Sequence, residues 1–299
     1  MMSNTQSIDM EPDFKLLDAI AGTKEPAFFS LSSNRYALKE FVSNISWIDE
    51  AIEVCRSKKE NNQVLFLKTI KFRSLNDINT IYEHGNIVNG KETKDKLRLY
   101  PRKLGSLIGG PAYLKREVRN YIYRDFIEID MINSHWNLLC IYCIKNNLNQ
   151  EDWILCKEFT NTRERILDEL NMYDGMSRQE AKTLLLQILY GGGFPSSLSH
   201  KKYLKAIQNE IKFIMEDTKC STFTFLSARL QQLEVNIIKS LMQKLNGSCE
   251  RICYVYDGIL VYSKNTEKIR EILNLWINSQ EKEIRPYLKF KFTLPIKNN

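Results

Sequence analysis

"EIDMINSHWN", residues 128–137, decides how the rest of the chain is read. It ends the alternating apolar pattern of "FIEIDMI" on a carboxylate, Asp130, and then opens through Asn133, Ser134 and His135 into the apolar helical stretch "WNLLCIYCIK". Asp is depleted in strands, so Asp130 marks either a turn or a task. A second such acid, Asp257, stands in "ERICYVYDGILVYS", which reads as a hairpin with "YDG" at its turn. Taken alone, Asp257-Gly258 is a type I′ turn pair.

Between the two acids the period changes from two to that of helices. "DWILCKEFTNTRERILDELNMY", "SRQEAKTLLLQILYGG", "HKKYLKAIQNEIKFIMEDTK" and "TFLSARLQQLEVNIIKSLMQKLN" form an all-helical insert. Within it Arg178, Lys182, Leu186 and Tyr190 follow at i+4 steps. Each step turns about 40° around the helix, so the four share one slowly drifting face. The helix dipole gives no reason for two cations at a helix start. A triphosphate does, since a guanidinium grips oxygens bidentately and an ammonium acts as a point charge.

Upstream, "DFKLLDAIAG" and "ALKEFVSNISWIDEAIEVCRSK" carry helical periodicity, "NQVLFLKTIKF" is expected to be one or two strands, and "HGNIVNGKETKDK" a polar loop or hairpin. "LRLYPRKLGSLIGGPAYLKREVRNYIYRDF" is dense in Arg, Lys and Tyr, Arg116 and Arg119 among them. Downstream come the helix "TEKIREILNLWINSQEKEI" and the strand "LKFKFTL".

The 299 residues, 43% hydrophobic and 26% charged, are those of a globular chain with ample core material. Lys and Arg total 43 against 36 Asp and Glu, a net +7 that suits nucleic acid or nucleotides and equally a Lys-rich solvated surface. Seven cysteines without a signal-peptide pattern imply a reducing compartment, cytoplasmic or nuclear. Cys140 and Cys143 have C-x-x-C spacing inside a buried helical stretch and are core residues in this reading, as are the other cysteines. No apolar run is long enough to span a membrane.

The pattern R-x3-K-x7-Y-G at Arg178, Lys182, Tyr190 and Gly191, with "IEIDMINSHW" before it and "VYDGILVY" after it, resembles motifs B, A and C of family A DNA polymerases and the single-subunit phage-type RNA polymerases. The likeness is nearest to their reduced, virus- and transposon-encoded offshoot and spans residues 125–262. It implies an α+β fold, a right-hand polymerase with an antiparallel palm sheet, reduced helical fingers and a small N-terminal thumb-like region. The boundaries expected are a disordered tail at 1–12, a thumb-like or template-binding region at 13–120, palm at 121–149, fingers at 150–225 and palm again at 226–299.

The same resemblance implies roles. Asp130 and Asp257, with the Met131 carbonyl, would hold two Mg²⁺ ions, Mn²⁺ being able to substitute, for two-metal phosphoryl transfer. Arg178 and Lys182 would bind the β- and γ-phosphates, Lys182 also protonating the leaving pyrophosphate. Asn133, His135, Leu186, Tyr190 and Gly191 would line the nucleotide site. Arg98, Tyr100, Arg116, Arg119, Gln231, Gln232 and Glu234 would meet the template-primer. Departures are Tyr256 in place of the usual His of motif C, Gly258 where a third acid often stands, Leu186 for an aromatic, and His135 where family A DNA polymerases have a Glu that screens against the ribose 2′-hydroxyl.

The expected function is therefore primer-dependent DNA synthesis from dNTPs. The alternatives are a primase or RNA polymerase using NTPs, or an inactive palm that binds nucleic acid. Partners expected are a template-primer, nucleoside triphosphates and a helicase or primase, with no membrane. The only upstream D-x-E, Asp9 and Glu11, lies in a polar tail, so no proofreading exonuclease is expected. High Asn, Lys and Ile content fits an AT-rich viral or mobile-element genome.

Overall fold

A computed structural model describes residues 27–32, 35–84, 87–88, 91–92, 99–101 and 109–295. The first half contains β1 (Phe28–Ser32), β2 (Arg35–Leu38), α1 (Ile45–Ser57), α2 (Asn61–Leu75), β3 (Thr80–His84), β4 (Ile87–Val88), β5 (Lys91–Glu92), β6 (Leu99–Pro101), α3 (Arg116–Ile122) and β7 (Ile127–Met131). The helical insert follows as α4 (Ser134–Lys145), α5 (Ile154–Asp174), α6 (Arg178–Leu189), α7 (Lys201–Asp217) and α8 (Phe223–Leu245). Then come β8 (Arg251–Tyr254), β9 (Gly258–Tyr262), α9 (Thr266–Asn278) and β10 (Phe290–Thr293).

Alternation along β7 sets the frame for the site. Ile127, Ile129 and Met131 are buried against the helical insert, which leaves Glu128 and Asp130 on the opposite face of the strand. β7 lies in an antiparallel sheet of order β10-β7-β9-β8, with Asp130 opposite Gly258 on one side and Lys291 on the other. The same period splits the hairpin strands. Ile252, Tyr254, Ile259 and Val261 join the core under the helical insert, while Cys253, Val255 and Leu260 join a second core with α1, α2 and Phe126. The chain is thus α+β with antiparallel sheets, helices covering both faces of the acid-bearing one.

A second antiparallel sheet, β1-β2-β3-β6, adjoins the first. The Ile252 N–H donates to the Lys39 carbonyl at 3.1 Å, just beyond the end of β2. Beside it Glu40, 3% exposed, accepts at Oε1 from the Tyr82 hydroxyl at 2.9 Å and from the Tyr254 N–H at 3.0 Å. Burial pushes the Glu40 carboxyl up to about 7.

Two expectations are corrected here. "NQVLFLKTIKF" is helix α2, because Gln63, Leu67 and Ile70 recur at helical spacing on its buried side. "ALKEFVSNISWIDEAIEVCRSK" is not helical throughout, since Ala37 and Leu38 belong to β2 and the helix starts at Ile45, capped by the Asn44 side chain accepting from Ser46 N at 2.9 Å. The proposed tail 1–12 and the helix "DFKLLDAIAG" lie outside the described residues. No helix among the described residues is long and apolar enough to cross a membrane.

Candidate functional site

The turn after β7 places the first acid. Asn133 adopts left-handed dihedrals (φ 53°, ψ 42°), a conformation that Asn tolerates, so the chain swings from strand into α4 within three residues of Asp130. The Asn137 side chain donates to the Ile132 carbonyl at 2.7 Å and holds that turn. The second acid is placed by the hairpin, closed by Val255 N–H to the Gly258 carbonyl at 3.1 Å, with Tyr256 at φ 66°. Tyr256 and Asp257 are therefore the central turn residues, a correction to the Asp257-Gly258 reading. Gly258 belongs to the strand.

Gly258 is needed for closeness. A Cβ there would lie 2.7 Å from the Ile129 carbonyl oxygen and 3.1 Å from both Cα and Oδ1 of Asp130. Glycine at 258 thus has a steric reason: no side chain fits there while β9 lies this near β7.

Asp130 and Asp257 line one cavity of about 380 Å³ together with Met131, Asn133, His135, Lys182, Leu186, Arg116, Arg163 and Lys291. Burial, then the neighbouring Asp257 and Glu128, push the Asp130 carboxyl up to about 6, against the pull of Arg116 and Arg119. Arg116 lies 3.4 Å from Glu128 and 3.9 Å from Asp130. Lys182 makes no ion pair within the protein among the described residues. Four cations line the cavity with the two acids, and two of them are shared with further carboxylates, Arg116 with Glu128 and Arg163 with Glu164.

No group of three or more His, Cys, Asp and Glu side chains gathers as a metal-ligand set among the described residues. The two acids nevertheless suit a hard divalent cation: both are oxygen donors, and such an ion would offset both the burial of Asp130 and its repulsion by Asp257.

Other expected site residues lie elsewhere. Arg178 does not line the cavity. Its guanidinium pairs with Glu164 and lies 3.5 Å from Asp168, both on α5, because the first turn of α6 faces that helix. The Tyr190 hydroxyl meets Nδ1 of His135, ring edge to face, so Tyr190 reaches the cavity only through His135. Gly191 (φ 77°) accommodates the Phe223 ring, which a Cβ would meet at 2.3 Å, so its role is packing and not approach to a base pair. Glu234 is fully buried in α8 and cannot meet a nucleic-acid groove. Gln231 and Gln232 bond within α8, to Ser227 and Arg229. Tyr100 stands in the other sheet opposite Glu83. Arg119 is largely buried behind the acids, and Arg98 lies outside the described residues.

Sequence reasoning missed Arg163 and Lys291. The register that sets Lys291 against Asp130 joins segments 161 residues apart, and no local pattern encodes it. It also passed over the S-x-x-E signature at Ser177–Glu180, which is a full capping box in the structure and fixes where α6 begins.

Comparison with known proteins gives one informative relative. The chain is 26% identical over 239 residues, 66% of its length, to "Putative helicase V13" of Sputnik virophage. It spans 29% of that protein. No family model and no solved structure matches. The relative's name corrects the expected function. It points to a helicase and away from a primer-extending DNA polymerase, and neither the primase or RNA-polymerase alternative nor the inactive palm fits it better. An enzyme related to nucleic acids, with a viral relative, is what this likeness supports.

Proposed function

We propose that the chain is the nucleotide-handling part of a helicase-class protein, and that its cavity binds a nucleoside triphosphate as a magnesium complex. One observation carries the reading: two carboxylates on hydrogen-bonded backbones face Lys182, Arg163, Arg116 and Lys291 across a single cavity. A magnesium–triphosphate complex offers a cation to the two acids and anionic oxygens to the cations of the same cavity. The phosphate loop G-x-x-x-x-G-K-[ST] does not occur in this sequence, so the phosphates would be held by side chains here.

In this reading Asp130 and Asp257 hold the metal, which when bound supplies Lewis-acid polarisation of phosphoryl oxygens. Lys182 Nζ, which makes no ion pair among the described residues, meets the terminal phosphate. Trp136 and Leu186 give the cavity its apolar wall. The sheet carrying the acids takes the place of a palm, and α5–α7 that of fingers, in a right-hand arrangement that serves nucleotide binding alone.

Titration of the protein with ATP, with and without Mg²⁺, tests this. Magnesium-dependent binding that Asp257→Asn abolishes is the expected outcome. Binding indifferent to both magnesium and Asp257→Asn would overturn it.

A further inference from the structure

We infer that Arg163 is the guanidinium that grips the bound phosphates, and that Arg178 acts on it indirectly by holding Glu164 away. This rests on the nucleotide reading above and assigns residues within it.

Arg163 comes from the middle of α5 and lines the cavity with its side chain only 17% exposed. Its Nε is buried without a partner, and its ion pair is with Glu164 at 2.7 Å through one Nη. A guanidinium offers five donors, and the Nη hydrogens not spent on Glu164 can be taken by two oxygens of a tetrahedral phosphate. Glu164 is the competitor. Its other oxygen is held by Arg178, which is half exposed and outside the cavity. Arg178, Glu164 and Arg163 thus form a chain in which one carboxylate is shared between two guanidinium groups. The more firmly Arg178 holds Glu164, the freer Arg163 is for a ligand. Arg178 is then a positioning residue.

The variants separate direct from indirect action. The measurement is equilibrium binding of Mg²⁺–ATP and of inorganic tripolyphosphate with Mg²⁺, alongside thermal unfolding midpoints. Arg163→Gln should weaken both ligands about tenfold or more, and Arg163→Lys, which keeps stem and charge but loses the fork, by less. Glu164→Gln should tighten binding, and Arg178→Gln should weaken it. The double variant Arg178→Gln/Glu164→Gln should bind as tightly as Glu164→Gln alone, whereas direct contact of Arg178 with phosphate would leave it weaker than Glu164→Gln. Arg165→Gln, an exposed neighbour paired with Glu169 at 3.1 Å, should change nothing. Wild-type binding with an unaffected Arg163→Gln, or a double variant weaker than Glu164→Gln, overturns this inference alone. Failure of the wild type to bind either ligand removes the nucleotide reading and this inference with it.

Discussion

The backbone N–H of Met131 donates to the carbonyl of Asp257 at 2.9 Å, so the residue after one acid is hydrogen-bonded to the other. The separation of the two acids is therefore set by the ladder between β7 and the hairpin, not by side-chain rotamers. The two carboxylates line one cavity, and Asp130 is raised to about 6 by burial first and by Asp257 and Glu128 after it. An arrangement that costs stability and gains nothing in the fold marks a site kept for a ligand.

Asp130→Asn should therefore stabilise the ligand-free protein. A carboxyl whose folded pKa lies above its unfolded value favours folding only while protonated, so its cost is present in full above about 6 and vanishes below 3.8. The side chain is 29% exposed, and with solvent screening the gain at pH 7 should be about 1–2 kcal/mol. Denaturant unfolding at pH 7 and pH 3.5 measures it. Equal differences at both values would show that Asp130 titrates normally.

Magnesium should stabilise the wild type in a pH-dependent manner. The ion competes with the proton on Asp130, so its apparent affinity should fall about tenfold for each pH unit below about 6 and level off above. The shift of the unfolding midpoint with added Mg²⁺ follows this directly. A shift independent of pH would place the ion away from Asp130.

Gly258→Ala tests the close approach of the hairpin. Its methyl would meet the Ile129 carbonyl at 2.7 Å, backbone that cannot swing aside, so β9 must move from β7. The expected loss is about 1–3 kcal/mol of stability, with the magnesium-induced shift reduced as the acids part. A variant with unchanged magnesium response would show that the spacing of the acids has slack.

Much of this site was legible in the chain's own pattern. Period-two alternation placed Asp130 on a strand and Asp257 at the turn of a hairpin, and i+4 spacing put Lys182 and Leu186 on one helix face. Partner choice was not legible. Arg178 shares that face by arithmetic, yet Glu164 and Asp168, themselves an i+4 pair on another helix, capture it at the helix start. Lys291 and Arg163 enter through tertiary packing that no short stretch records. The helix α2 was misread as strand for a related reason: it shows strand-like apolar runs, while its actual burial follows Gln63, Leu67 and Ile70.

Glu40 offers a test of how the two sheets are joined. Both the Tyr82 hydroxyl and the Tyr254 N–H donate to Oε1, and the carboxyl is raised to about 7 by burial. Gln supplies the same acceptor without the charge. Below 4.5, where Glu40 is protonated in both folded and unfolded chains, Glu40→Gln and wild type should have equal stability. As pH rises from 4.5 to about 7 the wild type loses the benefit of its buried proton, and the variant should become more stable by about 2 kcal/mol, constant at higher pH. Glu40→Ala instead strands both donors and should be about 2–4 kcal/mol less stable than Glu40→Gln at every pH, with Tyr254 and the hairpin beyond it loosened. Unfolding curves at pH 4.5, 6 and 8 distinguish these outcomes. A Glu40→Gln variant that tracks the wild type across that range would mean the carboxyl is charged in the folded protein and held by the buried Arg73.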